Sequence, residues 1–260
     1  MLSGALAARR AIVAPASAGS AGRRANVSDA ALAIDPLTVD EVSDRMALSV
    51  SAFEEALVGG DRATCVAMVE ALLAQGCAPI DLYEDYFRPA LYRIGALWES
   101  NRLSVAHEHR ATAMVEELMN EVFPRLMSLD RTGKTVVIAP VEGALHQVGS
   151  RMVCDVFEMY GWDAVQMGPD TTVDMLVGTL RTCRPALVGL SLTLDVHLSG
   201  LRRAIIAIRS AFPLLPILVG GRALGRVRPP ALEGFPGVHC FRDLNELQRY
   251  IEGLRVLRRA

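Results

Sequence analysis

The sequence predicts an α/β protein in which a doubly wound, parallel five-stranded sheet is preceded by an antiparallel four-helix bundle. Two observations carry that prediction. From about residue 38 to 129 the apolar residues recur at helical spacing, and capping and breaking residues divide the stretch into four segments. Beyond residue 133 the pattern changes to short β-branched runs alternating with amphipathic stretches of helical length, the rhythm of consecutive βα units.

The helical segments fall near 38–58, 61–75, 80–98 and 102–129. Asp61 has the side chain to cap the second, and Gly76 has the backbone freedom to end it. Tyr83, Phe87, Ala90, Ile94 and Leu97 draw an apolar stripe along the third; Ala111, Val115, Leu118, Val122 and Leu126 do so along the fourth. Each stripe needs a facing partner, and short intervening turns favour antiparallel packing. The polar stretch 128–133 reads as a linker between a domain at 38–129 and another at 134–260.

In the second domain the strands are expected at TVVIAP (135–140), DAVQMG (163–168), ALVGLS (186–191), PILVGG (216–221) and a weak VHC (238–240), with helices between them and after the last. Runs buried on both faces and joined by crossovers of helical length imply a parallel sheet, whose ligands bind beyond the C-terminal strand ends. The chemistry is therefore expected in the loops after residues 140, 168, 191 and 221.

Composition narrows the class. Hydrophobic residues make up 51%, charged residues 22%, and the formal net charge is −2, which excludes a disordered polymer and a strongly basic nucleic-acid binder. No apolar run is long enough to span a bilayer, since LVGLSLTLDVHL is interrupted by Asp195 and His197. The five cysteines are scattered without a CxxC, so neither a disulfide framework nor a thiolate zinc site is indicated, and a reducing cytoplasm fits. Cys65, Cys77, Cys154, Cys183 and Cys240 read as buried small residues.

Residues 1–37 are expected to form a floppy tail. Arg9, Arg10, Arg23 and Arg24 occur there without an acidic residue before Asp29, a composition shared by an organellar transit peptide, an Ala/Arg-rich leader and an early start in an Arg-biased genome. Leaving out residues 1–28, which hold those four of the 27 basic residues, the rest of the chain has 23 basic against 29 acidic residues, so direct DNA binding by the folded part is not expected.

Three loops share the ligand-binding edge. The one after the first strand reads VEGALHQVGSRM, with His146 ahead of Gly149 and a helix starting near Gln147; the third strand ends in Ser191 and Thr193, and the fourth in Gly220 and Gly221. Together these resemble the cobalamin-binding domain family over roughly 134–258, whose pattern is Asp-x-His-x-x-Gly after the first strand, a Ser-x-Leu-like segment after the third and Gly-Gly after the fourth. Gly149 would let a bulky group approach the backbone closely, and the resemblance implies a flavodoxin-like sheet, His146 as the lower axial ligand of cobalt, and Ser191, Thr193, Gly220 and Gly221 around the displaced nucleotide tail. Two departures stand out. Ala144 occupies the position of the family's carboxylate, which orients the imidazole and raises its basicity, and Thr193 replaces the usual leucine.

The helical half adds a second motif: Trp98, nine intervening residues, then Glu108 and His109. It resembles the signature of helical-bundle caps in light-sensing, adenosylcobalamin-binding regulators, where these residues lie over the upper face of the corrinoid. Glu99 departs from that pattern at a position where some light sensors carry a histidine. The resemblance implies a photoreceptor; such regulators often carry an N-terminal helix-turn-helix module, for which residues 1–40 read as too irregular, so the output is expected to pass through a homo-oligomer or a regulatory protein partner. A corrinoid methyl carrier of a methyltransferase system is the alternative, and Ala144 leaves open a related sensor using haem, or bilin together with cobalamin. His107 and His109, two residues apart on one helix, do not face each other as a zinc pair would. GGRALG lacks the strand-to-helix position of a nucleotide fingerprint, and no P-loop is present.

Overall fold

The computed structural model describes residues 48–127, 130–143, 147–225, 232 and 235–256. The expected tail, the first part of the 38–58 segment, and Ala144, Leu145 and His146 lie outside these residues.

Ser49 caps α1 (Val50–Gly59) by accepting the Ala52 amide at 3.1 Å, and Gly60 ends it with φ 77°. At α2 (Arg62–Ala74) the Asp61 carboxylate accepts from the Thr64 amide at 3.0 Å and from the Thr64 hydroxyl at 2.7 Å. Those bonds favour the ionised form and hold Asp61 below the usual carboxylate range.

The third helix, α3, spans 79–99 but is not uniform as the periodicity predicts. A first turn, Pro79–Asp81, passes into a π-helical stretch, Leu82–Phe87, before α-helix resumes at Arg88–Glu99. Three consecutive residues of an α-helix sweep about 200° of its circumference, too much for one face. Widening the coil turns Leu82, Tyr83 and Glu84 all inward. The fourth helix, α4 (Val105–Val122), stops short of the expected 129 because Pro124 withdraws an amide, leaving a 3-10 turn at Phe123–Arg125.

The sheet has β1 (Thr135–Pro140), β2 (Asp163–Gln166), β3 (Leu187–Ser191), β4 (Ile217–Gly220) and β5 (Val238–Cys240) in the order β2-β1-β3-β4-β5, all parallel. The chain steps one way from β1 to β2 and the other way to β3, so the crevice between β1 and β3 is the switch point of the doubly wound sheet. Helices α5 (Val148–Met159) and α8 (Leu244–Val256) cover one face, and α6 (Val173–Cys183) and α7 (Leu198–Ala211) the other.

The face under α5 and α8 shares one apolar core with α1–α4, running from Phe53, Tyr83 and Val115 through Ile138 and Phe157 to Ile251. Two buried polar joints cross it. The Tyr83 hydroxyl donates to Asp155 at 2.8 Å, and Arg151 donates to Asp155 at 3.0 Å and to Asn120 at 3.0 Å. Glu84 accepts the Leu244 amide at the start of α8 at 2.6 Å and pairs with Arg88 at 2.6 Å. Both α3 and α4 are thereby fixed against helices of the sheet, and buried groups in both joints have the partners that burial demands.

The described part of the expected linker is strapped to the sheet: Arg131 donates to Glu158 at 2.6 Å and to the Trp162 carbonyl at 2.7 Å, and the Thr132 amide to the Gly161 carbonyl at 2.7 Å. Cys65 and Cys154 are buried, and burial pushes both thiols up to about 12. The expectation of five buried cysteines fails at the other three: Cys77 and Cys183 are only half-buried, and Cys240, on the short edge strand β5, is exposed. No helix among the described residues is long and apolar enough to cross a membrane.

Candidate functional site

The strand register builds the floor of a cleft. Pro140 stands opposite Ser191, and Ser191 opposite Gly220, so the last residues of β1, β3 and β4 form one row at the C-terminal edge. The loops beyond are knitted together: the Leu192 amide donates to the Gly220 carbonyl at 2.8 Å, and the Ala223 amide to the Leu192 carbonyl at 3.2 Å. Gly221 has φ 117°, and a Cβ there would lie 2.3 Å from the Leu192 carbonyl oxygen, so only glycine allows this approach.

Above the row is a cavity of about 280 Å3. Its walls are the strand ends, the first turns of α5, the segment 241–244, and the facing sides of α3 and α4. The lining is mostly apolar, with polar groups at few points, the usual character of a small-molecule site.

Of the residues expected at the site, Trp98, Glu108, Gly149, Ser191, Thr193, Gly220 and Gly221 all line this cavity. Trp98, at the end of α3, is 39% exposed instead of extending the core stripe through Ile94. Glu108 is buried in the first turn of α4, where the helix dipole favours a carboxylate, and accepts from the Thr112 hydroxyl at 3.1 Å. His109 is not part of the lining; its exposed ring stands 3.5 Å from Glu108. The His107 ring turns instead to Ser104, at 2.7 Å.

His146 and Ala144 lie outside the described residues, but the residues on either side are placed. Gly143, with φ 89°, rests against His197, and Gln147 immediately precedes α5, whose Val148, Gly149 and Ser150 line the cavity. A Cβ at Gly149 would meet nothing within 4 Å. The Ser150 hydroxyl is buried and has no hydrogen-bond partner among the described residues. An open glycine and an orphaned hydroxyl in one helical turn make a surface ready to receive another molecule.

Sequence reasoning missed Glu84, Arg88, Tyr92, Gly95 and Arg222, all in the lining. Four of them carried a readable signal. Glu84, Arg88, Leu91, Gly95 and Trp98 form a second stripe of helical spacing beside the apolar one, and Tyr92 borders it. Burial raises Glu84 above the usual carboxylate range, against the opposing pull of the Leu244 amide and Arg88. Among the described residues no group of three or more His, Cys, Asp or Glu side chains is placed to hold a metal ion.

Comparison with known proteins returns matches to both halves. Two family models, each described as a B12 binding domain, match residues 50–122 and 134–239. Trimethylamine corrinoid protein 1 of Methanosarcina acetivorans is 24% identical over 141 residues, which cover 53% of this chain and 65% of that protein. The HTH-type transcriptional repressor CarA of Myxococcus xanthus is 30% identical over 119 residues, 45% of this chain and 39% of that protein. The monomethylamine corrinoid protein of Methanosarcina barkeri has the same fold, with a TM-score of 0.65 at 16% identity over 76% of this chain and 94% of that one.

Proposed function

The chain belongs to the cobalamin-binding family, and from that premise we propose that it is a B12-dependent regulatory photoreceptor that takes adenosylcobalamin into the cleft at the strand ends. One observation carries the reading: Trp98 and Glu108 stand on α3 and α4, across the cavity from the strand ends. The residues present fit a corrinoid. Gly149 leaves room for a bulky group against the start of α5, Gly220 and Gly221 bring backbone to the cavity without side chains, and the unpartnered Ser150 hydroxyl gains a neighbour when the space is filled.

Adenosylcobalamin supplies a cobalt–carbon bond that visible light cleaves. The chain's own residues do the rest. In this reading His146 would hold the cobalt, with Ala144 standing where the family pattern has the carboxylate that orients the imidazole. Ser191 and Thr193 border the nucleotide tail, Trp98 packs on the adenosyl group, and Glu108 accepts a hydrogen bond from an amine or sugar hydroxyl. Without an adenosyl group Trp98 would lose what it packs against, and α3 and α4 would be free to resettle on the sheet, a change that a second copy or a partner protein would read. The four-helix arrangement of the cap belongs to the same proposal, and the haem and bilin alternatives draw no support from the B12 models.

The second reading, a corrinoid methyl carrier, is favoured by the methanogen relatives, whose names describe corrinoid proteins of methylamine systems. Trp98 lines the cavity, and in the photoreceptor reading it packs over the upper ligand, where it would obstruct a docking methyltransferase. Gel filtration with light scattering, on the adenosylcobalamin complex in darkness and after illumination, tests assembly, and a pull-down under both conditions tests partner binding. A light-dependent change in either supports the photoreceptor. Indifference of both to light, with demethylation of a methylamine in the presence of its methyltransferase, supports the carrier.

A further inference from the structure

Arg222 crosses the cleft. It follows Gly220 and Gly221, whose backbone packs on Leu192, and from there its guanidinium reaches α3 on the opposite wall. Three residues on one face of α3, at positions i, i+3 and i+7, receive it. The guanidinium carbon lies 5.1 Å from the centre of the Tyr92 ring, and Nη1 is 3.6 Å from the Glu99 carboxylate. A Cβ on Gly95 would be 3.6 Å from the same nitrogen, in van der Waals contact, so the guanidinium lies close over the helix at this position.

Glu99 is otherwise badly placed. It is the last residue of α3, and no basic residue lies in that helix's last turn to offset its charge. A carboxylate at a helix C-terminus opposes the macrodipole. Its partner comes instead from a loop more than a hundred residues on, and is 22% exposed where Glu99 is 46% exposed. Trp98 is the residue immediately before it, exposed and outside the apolar core, so its place over the cavity is set by where the end of α3 sits.

We propose that Arg222 is a positioning residue for the upper ligand: by holding Glu99 and Tyr92 it fixes the last turn of α3 and so sets Trp98 over the cleft, giving the site its preference for a corrinoid with a large upper group. The selectivity rests on the cobalamin reading above; the positioning of Trp98 does not. Arg222 acts through Trp98 and is given no contact with the reacting atoms.

The test has one arm without cofactor. The chain has two tryptophans, and Trp162 is 2% exposed, so acrylamide quenching of the unliganded protein reports on Trp98. Arg222→Gln and Glu99→Gln are each expected to raise the quenching constant, and the charge-reversed pair Arg222→Glu with Glu99→Arg to bring it back toward wild type. In the second arm, Kd values for adenosylcobalamin and hydroxocobalamin give a selectivity ratio, expected to fall about fivefold in each single variant, as for a partly exposed ion pair. Unchanged quenching in both single variants overturns the positioning role, and changed quenching with an unchanged ratio overturns the selectivity. If wild type binds neither cobalamin, the cobalamin reading and the selectivity fail, while the quenching arm still decides the positioning.

Discussion

Gly149 separates stability from binding. It is the second residue of α5, it lines the cavity, and an added Cβ meets no atom within 4 Å. Gly149→Ala therefore gains helix propensity without a clash, about 0.5–1 kcal/mol. In a protein of this size that raises the unliganded Tm by about 1–4 °C. With cobalamin in the cleft the same methyl group becomes an intruder, and overpacking of about 1–3 kcal/mol weakens Kd roughly 5- to 150-fold. Gly149→Leu fills more of the space and is expected to abolish binding while the unliganded protein stays folded. Thermal unfolding by circular dichroism and absorption titration with hydroxocobalamin supply the two numbers. Unchanged affinity in both variants, or an unliganded Gly149→Ala that unfolds earlier than wild type, refutes the placement of the cofactor against this turn.

Three further outcomes are expected. Glu84 and Asp155 are both pushed above the usual carboxylate range, chiefly by burial. A carboxyl raised in the folded state takes up its proton there first, so stability from this pair grows as pH falls from neutrality toward the unfolded value of about 4. Asp61 and Glu246 are lowered, first by backbone bonds from Thr64 and Arg242, and their contribution disappears only as pH falls through those depressed values. Urea midpoints across that range are expected to climb more in wild type than in Glu84→Gln combined with Asp155→Asn, and identical slopes would contradict the burial argument. Asp155→Ala leaves the fully buried Tyr83 hydroxyl without its acceptor and Arg151 without its carboxylate, a loss of about 3–5 kcal/mol in urea unfolding. Trp98→Ala is expected to cost about 1–3 kcal/mol of adenosylcobalamin affinity, as for one base lost from an aromatic platform, and to leave methylcobalamin nearly unaffected; equal losses for both would favour an open upper face.

The centre of the sheet was legible because β1, β3 and β4 are buried and so read as continuous apolar runs, while the edge strands β2 and β5 are only partly covered and give a weaker pattern. Even β2, which ends at Gln166 where the pattern runs on to Gly168, keeps a bond from the Met167 amide to the Ile138 carbonyl at 2.8 Å. The π-helical stretch was not legible, since its cause is the joint burial of Leu82, Tyr83 and Glu84 against elements distant in sequence. At the site, glycines and small polar residues at strand ends could be read because parallel strands place their C-terminal ends along one edge. Arg222 could not, because what gives it meaning is Glu99, Tyr92 and Gly95 on a helix more than a hundred residues away. Trp98 was read by its spacing to Glu108 and not by its surroundings, and its exposure distinguishes it from the core residue that the stripe alone suggests.

The most direct measurement is the absorption spectrum of the protein with adenosylcobalamin after gel filtration, in darkness and after green light. A corrinoid that co-elutes with the protein is expected, with a dark spectrum of the alkylated cofactor and an illuminated spectrum distinct from free cobalamin treated alike, as the proposed binding in the cleft with His146 as cobalt ligand requires. Cobalamin that elutes apart from the protein, or bound spectra that match free cobalamin both before and after light, would contradict the account.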